Sequence, residues 1–391
     1  MPHSYDELYA RAEGLLPVLR ERAARCEELR RIPDETVRDL HDTGLFRFQQ
    51  PRRVGGSELD FVAAITFGAL LARACASSAW NFVNLGTHHL LLGMFPPQAQ
   101  DDVWKPSRDA LIATSFVFPA GKARKVKDGY VLSGRWPFSS GVDHCDWDIL
   151  AGLARLDDNT PPEQRMFLLN KSQYRIHDNW YAGGLRGTGS KDVEVEEQFV
   201  PDHRSLSVAD TKGGATPGSA VNPGAIYRMP VFALFPYYLS GVALGIAEGM
   251  IGNYLEKSKN HSGKMTGARV AEIQSTQIRI GEAAAFARAS RAFMEGNCRE
   301  AQALTEADRI PDLATKARYR LEGAWAVDWA TRAVDVMFGL SGASGLYESG
   351  DTARAFRDAH AIRQHFSFNT DIAGTTYGRV VLGLPSDNPT L

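Results

Sequence analysis

The hydrophobic pattern of this chain changes period twice, and that limits the fold more than any single motif does. From about residue 5 to 110 the apolar residues recur at helical spacing. Ile32-Pro33-Asp34-Glu35-Thr36 puts proline and acidic residues where a first turn needs them, ahead of Val37, Leu40 and Leu45, and Gly44 suits the helix end. Leu59 to Ala76 is apolar nearly all round, as expected of a helix buried between layers. Between about 111 and 225 the texture becomes short runs such as Tyr130-Val131-Leu132, Ile149-Leu150-Ala151 and Val193-Glu194-Val195, separated by Gly, Pro, Asp and Asn. Lys212 to Ala225, rich in glycine and proline, reads as a loop or linker carrying little side-chain chemistry and free to be mobile. Helical patterns then return as long stretches with few breakers, Val242 to Lys259, Ala271 to Gly296 and Lys316 to Gly339, as in an antiparallel bundle. The expected architecture is α+β: a helical domain over 1–110, a β-domain over 111–225 and a C-terminal helical bundle over 226–391.

Composition narrows the function. The 391 residues carry 44 basic against 46 acidic side chains, so no phosphate-tracking surface and no nucleic-acid partner is expected. Cys26, Cys75, Cys145 and Cys298 lie far apart without a CxxC pair, which argues against a zinc knuckle or a disulfide framework and for a reducing cytoplasm. Charges interrupt the apolar residues of the N-terminus, unlike a signal peptide, and the apolar stretches fall short of the roughly 20 residues a membrane span requires. A soluble cytoplasmic protein is expected. No HExxH, phosphate loop or GxSxG elbow occurs, and the glycines of Gly183 to Gly189 do not open a long helix as a Rossmann fingerprint would.

Four local sequences carry a resemblance. Gly134-Arg135-Trp136-Pro137-Phe138-Ser139-Ser140-Gly141, Leu185-Arg186-Gly187-Thr188-Gly189-Ser190, Ser341-Gly342-Ala343-Ser344-Gly345 and Phe356-Arg357-Asp358-Ala359 stand in order and at sensible spacing. Together they resemble the acyl-CoA dehydrogenase superfamily over nearly the whole chain. The resemblance implies that fold, and a flavin surface drawn from Trp80, Trp136, Phe138, Ser139, Ser140 and Ser190. Acyl-CoA dehydrogenases also need a carboxylate to abstract the α-proton of the thioester. The two places where that family puts it fall at about Phe366 and near Phe235, and neither side chain can take a proton. The segment that helps bind acyl-CoA is missing where Ala113-Thr114-Ser115-Phe116-Val117-Phe118-Pro119 stands.

What stands instead resembles the two-component flavin-dependent monooxygenases related to 4-hydroxyphenylacetate 3-hydroxylase and the steroid-ring hydroxylases. The likeness rests on Ser78-Ala79-Trp80, Thr87-His88, the strand around Ser115, Phe138 to His144, and Asp358-Ala359-His360 followed by His365. It implies that reduced flavin from a separate NAD(P)H-dependent reductase reacts with O2 to give a C4a-hydroperoxide, whose distal oxygen passes to a small aromatic, phenolic substrate. By matching position His88 and Ser115 contact the substrate oxygen, with His88 as base; Ser140 holds flavin N5–H and His365 serves the peroxide. Phe235 is expected in the pocket wall. Lys259-Asn260-His261-Ser262-Gly263 replaces the dehydrogenase stretch that binds the FAD diphosphate, which favours FMN or a relaxed preference. The same likeness implies a homotetramer.

Each assignment has a structural rival. A histidine in a buried helix is more often a hydrogen-bonded core residue, and His89, His144 and His360 are read so. Ser139 and Ser140 serve equally well at a strand end, and Trp136 and Phe138 as core. The aromatic group Phe232, Phe235, Tyr237 and Tyr238 is either core or pocket wall. Three functional rivals stand beside the hydroxylase: an acyl-CoA dehydrogenase, a nitrogen- or sulfur-oxygenating monooxygenase of the same fold, and a non-catalytic homologue serving as scaffold.

Overall fold

The computed structural model describes residues 2–259, 269–348 and 350–391. Helices come first: α1 (Tyr5–Gly14), α2 (Leu16–Glu21), α3 (Ala23–Leu29), α4 (Asp34–Asp42), α5 (Phe61–Ala72), α6 (Ala76–Met94) and α7 (Pro97–Trp104). Strands follow: β1 (Ile112–Ser115), β2 (Gly121–Val126), β3 (Gly129–Ser139), β4 (Trp147–Arg155), β5 (Glu163–Asn170), β6 (Arg175–His177), β7 (Lys191–Pro201) and β8 (Ser205–Ser207). Long helices close the chain: α8 (Val231–Ser258), α9 (Gln274–Glu306), α10 (Leu313–Leu340), α11 (Asp351–Arg363) and α12 (Thr370–Val381).

Local chemistry sets the helix ends. Ser4 and Glu7 form a reciprocal cap on α1, and Gly44 follows α4 in left-handed backbone at φ 77°. The apolar stretch expected over Leu59 to Ala76 is split. Asp60 caps α5 by accepting the Ala63 N–H, α5 ends at Ala72, and Cys75 in extended backbone opens α6.

The three β-rich runs read from the sequence lie in β3, β4 and β7. Among the described residues the sheet runs β6-β7-β3-β2-β4-β5-β8, with β1 added on β4. β4 is its hub. β5 pairs antiparallel along one side of β4; on the other, β1 runs parallel along Trp147 to Leu150 and β2 along Leu153 to Arg155. Near the end of β3 the register with β7 shifts between Trp136 and Ser139, and Phe138 takes a positive φ of 68°. A bulge of this kind turns a side chain out of the sheet, and Phe138 is 62% exposed.

α8 is sandwiched between α5 and the α9–α10 pair. Its Gly241 and Gly245 lie on the α5 backbone, where an added Cβ would stand 2.5 Å and 2.1 Å from the Ile65 and Ala69 carbonyl oxygens. Any larger residue would push the helices apart. Pro236 inside α8 removes the N–H that would have bonded the Phe232 carbonyl. Arg320 of α10 supplies a substitute, donating from Nη1 to that oxygen at 3.4 Å.

Two expectations need correction. α8 is long and apolar enough to cross a membrane by length and composition, although no stretch was expected to be; 94% of the qualifying window is buried inside the protein, so packing accounts for its character. The Lys212–Ala225 segment is pinned rather than loose. Asn222 is buried and donates to the Gly93 carbonyl at 2.7 Å and to Gln100 Oε1 at 2.9 Å, and Thr216 caps the short turn Pro217–Ala220.

Candidate active site

His88 points from α6 toward β1. Its Nδ1 lies 2.7 Å from the Ile112 carbonyl oxygen, which can only accept, so Nδ1 carries the proton and neutral Nε2 is an acceptor. The Thr114 hydroxyl, 3.0 Å away, donates to it. Burial lowers the His88 pKa to about 4, against a smaller upward pull from the Ile112 carbonyl. Beside this ring a narrow cleft is lined by Asn84, Thr87, Leu91, Phe116, Val231, Phe235, Tyr238 and Leu239. The cleft is nearly closed, with room of about 10 Å³, so a flat guest reaches the imidazole acceptor only by parting these aromatic walls.

Ser140 sits at the end of a chain of hydroxyls whose direction can be counted out. Thr188 donates its single proton to the Leu185 carbonyl at 2.9 Å, so at its 2.7 Å contact with Ser190 it must accept. Ser190 has then used its own proton. Ser140 therefore donates to Ser190 at 2.7 Å, and it accepts the Trp80 indole N–H at 3.1 Å. One lone pair of Ser140 is left, and it can only accept. The turn that carries Thr188 and Ser190 is anchored from α11: Asp358 accepts the Leu185 N–H at 2.6 Å, where Leu185 holds a left-handed φ of 50°. Burial raises the Asp358 carboxyl to about 7.

His365 follows α11 and caps a short turn, its Nδ1 accepting the Ser367 N–H at 3.3 Å. Nε2 then carries the proton, and it has no partner among the described residues. Aromatic rings surround the imidazole: Trp80 edge-on at 5.9 Å, Phe235 stacked at 6.1 Å, Phe366 at 4.7 Å and Phe368 at 5.5 Å. Burial, then the Arg320 charge, lowers its pKa to about 3, so the ring is a neutral N–H donor. Trp80 links His365 to Ser140, and Phe235 links His365 to the His88 cleft.

Not every predicted residue joins this group. Trp136 is wholly buried in the β-domain and donates its indole N–H to the Ala151 carbonyl, so it is core and not a cofactor contact. Ser139 is likewise buried and donates to Asp148 at 2.7 Å, because strand alternation turns it away from Ser140. Ser115 donates to the Pro137 carbonyl at 2.7 Å and ties β1 to β3; the hydroxyl that meets His88 is that of Thr114. Phe138, at 62% exposure, remains available, with Trp180 edge-on at 6.3 Å. Of the aromatic group in α8, Phe235 and Tyr238 line the cleft, whereas Tyr237 is core and donates to the Tyr319 carbonyl at 2.6 Å. His89 accepts the Trp104 indole N–H, His144 bonds the Ile32 carbonyl and His360 pairs with Asp335. Sequence reading passed over Thr114 and Thr188 as site residues, although both stand inside motifs it quoted; Tyr238, left open there between core and pocket wall, lines the cleft.

Comparison with known proteins places this geometry. Models of the acyl-CoA dehydrogenase N-terminal and C-terminal domains match residues 15–106 and 237–370. The chain is 36% identical over 376 residues to the oxygenase subunit HsaA of a flavin-dependent monooxygenase from Rhodococcus jostii, covering 96% of this chain and 98% of that one. It belongs to the acyl-CoA dehydrogenase family, in the flavin-dependent monooxygenase branch. A FADH(2)-dependent resorcinol hydroxylase oxygenase component from Rhizobium sp. is 33% identical, over 96% of this chain and 94% of its own. The crystal structure of the HsaA monooxygenase from M. tuberculosis superposes with a TM-score of 0.93 at 33% identity, over 100% of both chains.

Phe235 and Phe366, near the two places where the resemblance to acyl-CoA dehydrogenases puts the base, stack at 5.9 Å. The residues present fit a flavin of this branch. Ser140 offers an acceptor lone pair and His365 a free N–H beside aromatic surface, which suits a flat ring with N–H and carbonyl edges.

Proposed function

We propose that this chain is the oxygenase component that hydroxylates a small phenol with reduced flavin and O2, the flavin arriving from a separate NAD(P)H-dependent reductase. The observation that carries this reading is His88: its Nδ1 proton is committed to the Ile112 carbonyl, so Nε2 presents an acceptor at an aromatic cleft that holds no carboxylate. Bound reduced flavin supplies the activation of oxygen. The chain supplies the rest. A phenol O–H donates to His88 Nε2 as Thr114 turns its hydroxyl aside. As negative charge grows on the phenol oxygen it raises the basicity of the imidazole, so the proton can move to Nε2 and the ring becomes electron-rich. Ser140, with only a lone pair to offer, would accept from an N–H of the bound flavin, and His365 Nε2–H would donate beside it. Phe116, Phe235 and Tyr238 keep water out.

Two finer points belong to the same proposal. The flavin preference is relaxed, with FMN favoured: of the segment on which this rests, Lys259 alone is described and Asn260, His261, Ser262 and Gly263 lie outside the described residues, while the resorcinol hydroxylase relative is FADH(2)-dependent by name. The protein works as a homotetramer in the cytoplasm, supported by apolar side chains left exposed in the C-terminal helical region, among them Ile278, Ile372, Val381 and Leu382, and by four unpaired cysteines.

Mixing oxygenated buffer with protein and reduced flavin in a stopped-flow instrument tests the proposal. A transient near-ultraviolet absorbance should precede the oxidised-flavin spectrum, and a phenol should be recovered with an added hydroxyl. Tightly bound FAD that bleaches directly on adding an acyl-CoA would sink it.

A further inference from the structure

Behind the α6 end of the site lie two thiols that the reaction does not use. Cys26 of α3 and Cys75, the residue that opens α6, are both buried, with their sulfurs 3.9 Å apart. Ser78 lies 3.2 Å from the Cys75 sulfur and 3.8 Å from that of Cys26. Cys75 sits at the N-terminus of a 19-residue helix, where the aligned peptide dipoles favour a thiolate. It also forms part of the wall of a cavity of about 600 Å³, together with Arg354, Asp358 and Met337, so a small molecule can reach it while Cys26 stays behind.

We propose that Cys26 and Cys75 are a peroxide-sensitive modification site that closes to an intramolecular disulfide. The oxidant is hydrogen peroxide, which a flavin oxygenase releases whenever activated oxygen is not transferred; that source rests on the proposed function, but the thiol chemistry does not. The Cys75 thiolate attacks one peroxide oxygen: an S–O bond forms, the O–O bond breaks, and hydroxide leaves and takes up a proton to become water. The Cys26 sulfur then attacks the sulfenic sulfur of Cys75. The S–S bond forms, the S–O bond breaks, and the departing hydroxyl takes the Cys26 proton and leaves as a second water. Two thiols lose two electrons and two protons, and one peroxide becomes two waters. Closure brings the sulfurs from 3.9 Å to about 2.05 Å.

The electrostatics agree with the division of roles. The two thiols share one contact and titrate as a pair: that contact and burial push Cys26 up, while the Ser78 hydroxyl, donating to the Cys75 sulfur, favours charge on Cys75. Cys145 and Cys298 are internal controls: burial raises both thiols well above the usual value, and the Cys145 thiol is spent on the Gly141 carbonyl. Closure is also felt in the flavin site, because Cys26 packs under Gly187, where a Cβ would stand only 2.6 Å from the Cys26 Cβ, next to Thr188.

The experiment uses the full-length protein, freed of reductant and treated with a few equivalents of hydrogen peroxide without flavin, so that failure of the oxygenase reading does not affect it. Thiols are then blocked in denaturant and peptides mapped without reduction. A Cys26–Cys75 linked peptide should accumulate while Cys145 and Cys298 stay blocked as thiols, and Cys26→Ser should stop at a Cys75 sulfenic acid trapped by dimedone. The linked wild-type protein should bind reduced flavin several-fold more weakly and recover with dithiothreitol. Cys26 and Cys75 remaining thiols, or all four cysteines oxidising alike, overturns the site; unchanged flavin affinity in the linked protein overturns the coupling. The wild-type measurement stands even if the variant misfolds.

Discussion

The rings of Phe235, in α8, and Phe366, just beyond α11, stack with centroids 5.9 Å apart and planes 28° from parallel. They come from the two parts of the chain where an acyl-CoA dehydrogenase would place its base. A stacked pair of phenyl rings has no lone pair to receive an α-proton, but it offers an apolar face to a flat guest, buried at Phe235 and half exposed at Phe366. His365 lies against both rings, so the substitution that removes dehydrogenase chemistry also builds the surroundings of the histidine assigned to oxygen chemistry.

The first prediction follows from that pair. Oxidised flavin bound to the protein should keep its spectrum when an acyl-CoA is added. Phe235→Ala should cost about 3 kcal/mol in urea unfolding, the scale for a phenylalanine lost from a packed site. In the same variant more reduced flavin should be consumed per product formed, because water enters the cleft.

The two site histidines should separate in their effects. His88→Ala should leave the near-ultraviolet transient intact while hydroxylation slows on the order of 10²–10⁴-fold, the range for loss of a general base. His365→Ala should alter the formation or lifetime of the transient even with no substrate present. If both variants couple oxygen to product as the parent does, their roles are structural.

Thr188 should act at a distance, through Ser190. Thr188→Val removes the hydroxyl that fixes the direction of the chain, freeing Ser140 to point its proton at the flavin instead of its lone pair. An anaerobic fluorescence titration should then find reduced flavin bound about tenfold more weakly, within the ~1–3 kcal/mol typical of a mispaired buried polar group. Thr188→Ser, which keeps the hydroxyl, should restore affinity; equal loss in both variants would mark a packing effect.

The buried acids and histidines pull stability in opposite directions with pH. Asp148 is raised by burial to about 7, so its contribution is complete below the unfolded value of 3.8 and is lost as pH climbs through about 7. His88 and His365 are lowered to about 4 and about 3, so theirs is present above the unfolded value of 6.5 and fades as pH falls through the folded values. Melting temperature should therefore fall on both sides. Asp358, also raised by burial to about 7, adds a decline of the same sign, so Asp148→Asn should remove only the share of Asp148 in the fall between about pH 4 and 7; an unaltered slope there would remove Asp148 as a cause.

Assembly gives the last prediction. Light scattering at micromolar concentration should report a tetramer, because Ile372, Val381 and Leu382 of the C-terminal region are more than half exposed in the single chain. A stable monomer would contradict it.

The layered architecture was legible in the sequence because it depends on repeating patterns. The period of the apolar residues separates helix from strand over long stretches, and the four motifs hold their order and spacing regardless of how the parts dock. The two phenylalanines at the base positions could also be read directly, since an absent carboxylate needs no geometry to be absent. The motifs brought Trp80, His88, Ser140, Ser190, Phe235 and His365 into view, and the fold gathers these residues.

Phase and partner were not legible. A strand of four buried residues carries no alternation from which to tell which side of β1 faces α6, so the contact of Thr114 with His88 could not be read beside Ser115. Trp136 and Ser139 stand in the same motif as Ser140, but the bulge at Phe138 and the pleat decide that they turn into the β-domain core. The proton order from Ser140 to Leu185 and the contact of Cys26 with Cys75 join residues from distant parts of the chain. Sequence alone thus determined which chemical groups this protein has and the elements that carry them. Which lone pair or proton each group turns toward the cleft was decided by tertiary structure, because a hydrogen bond is spent on whatever neighbour packing provides.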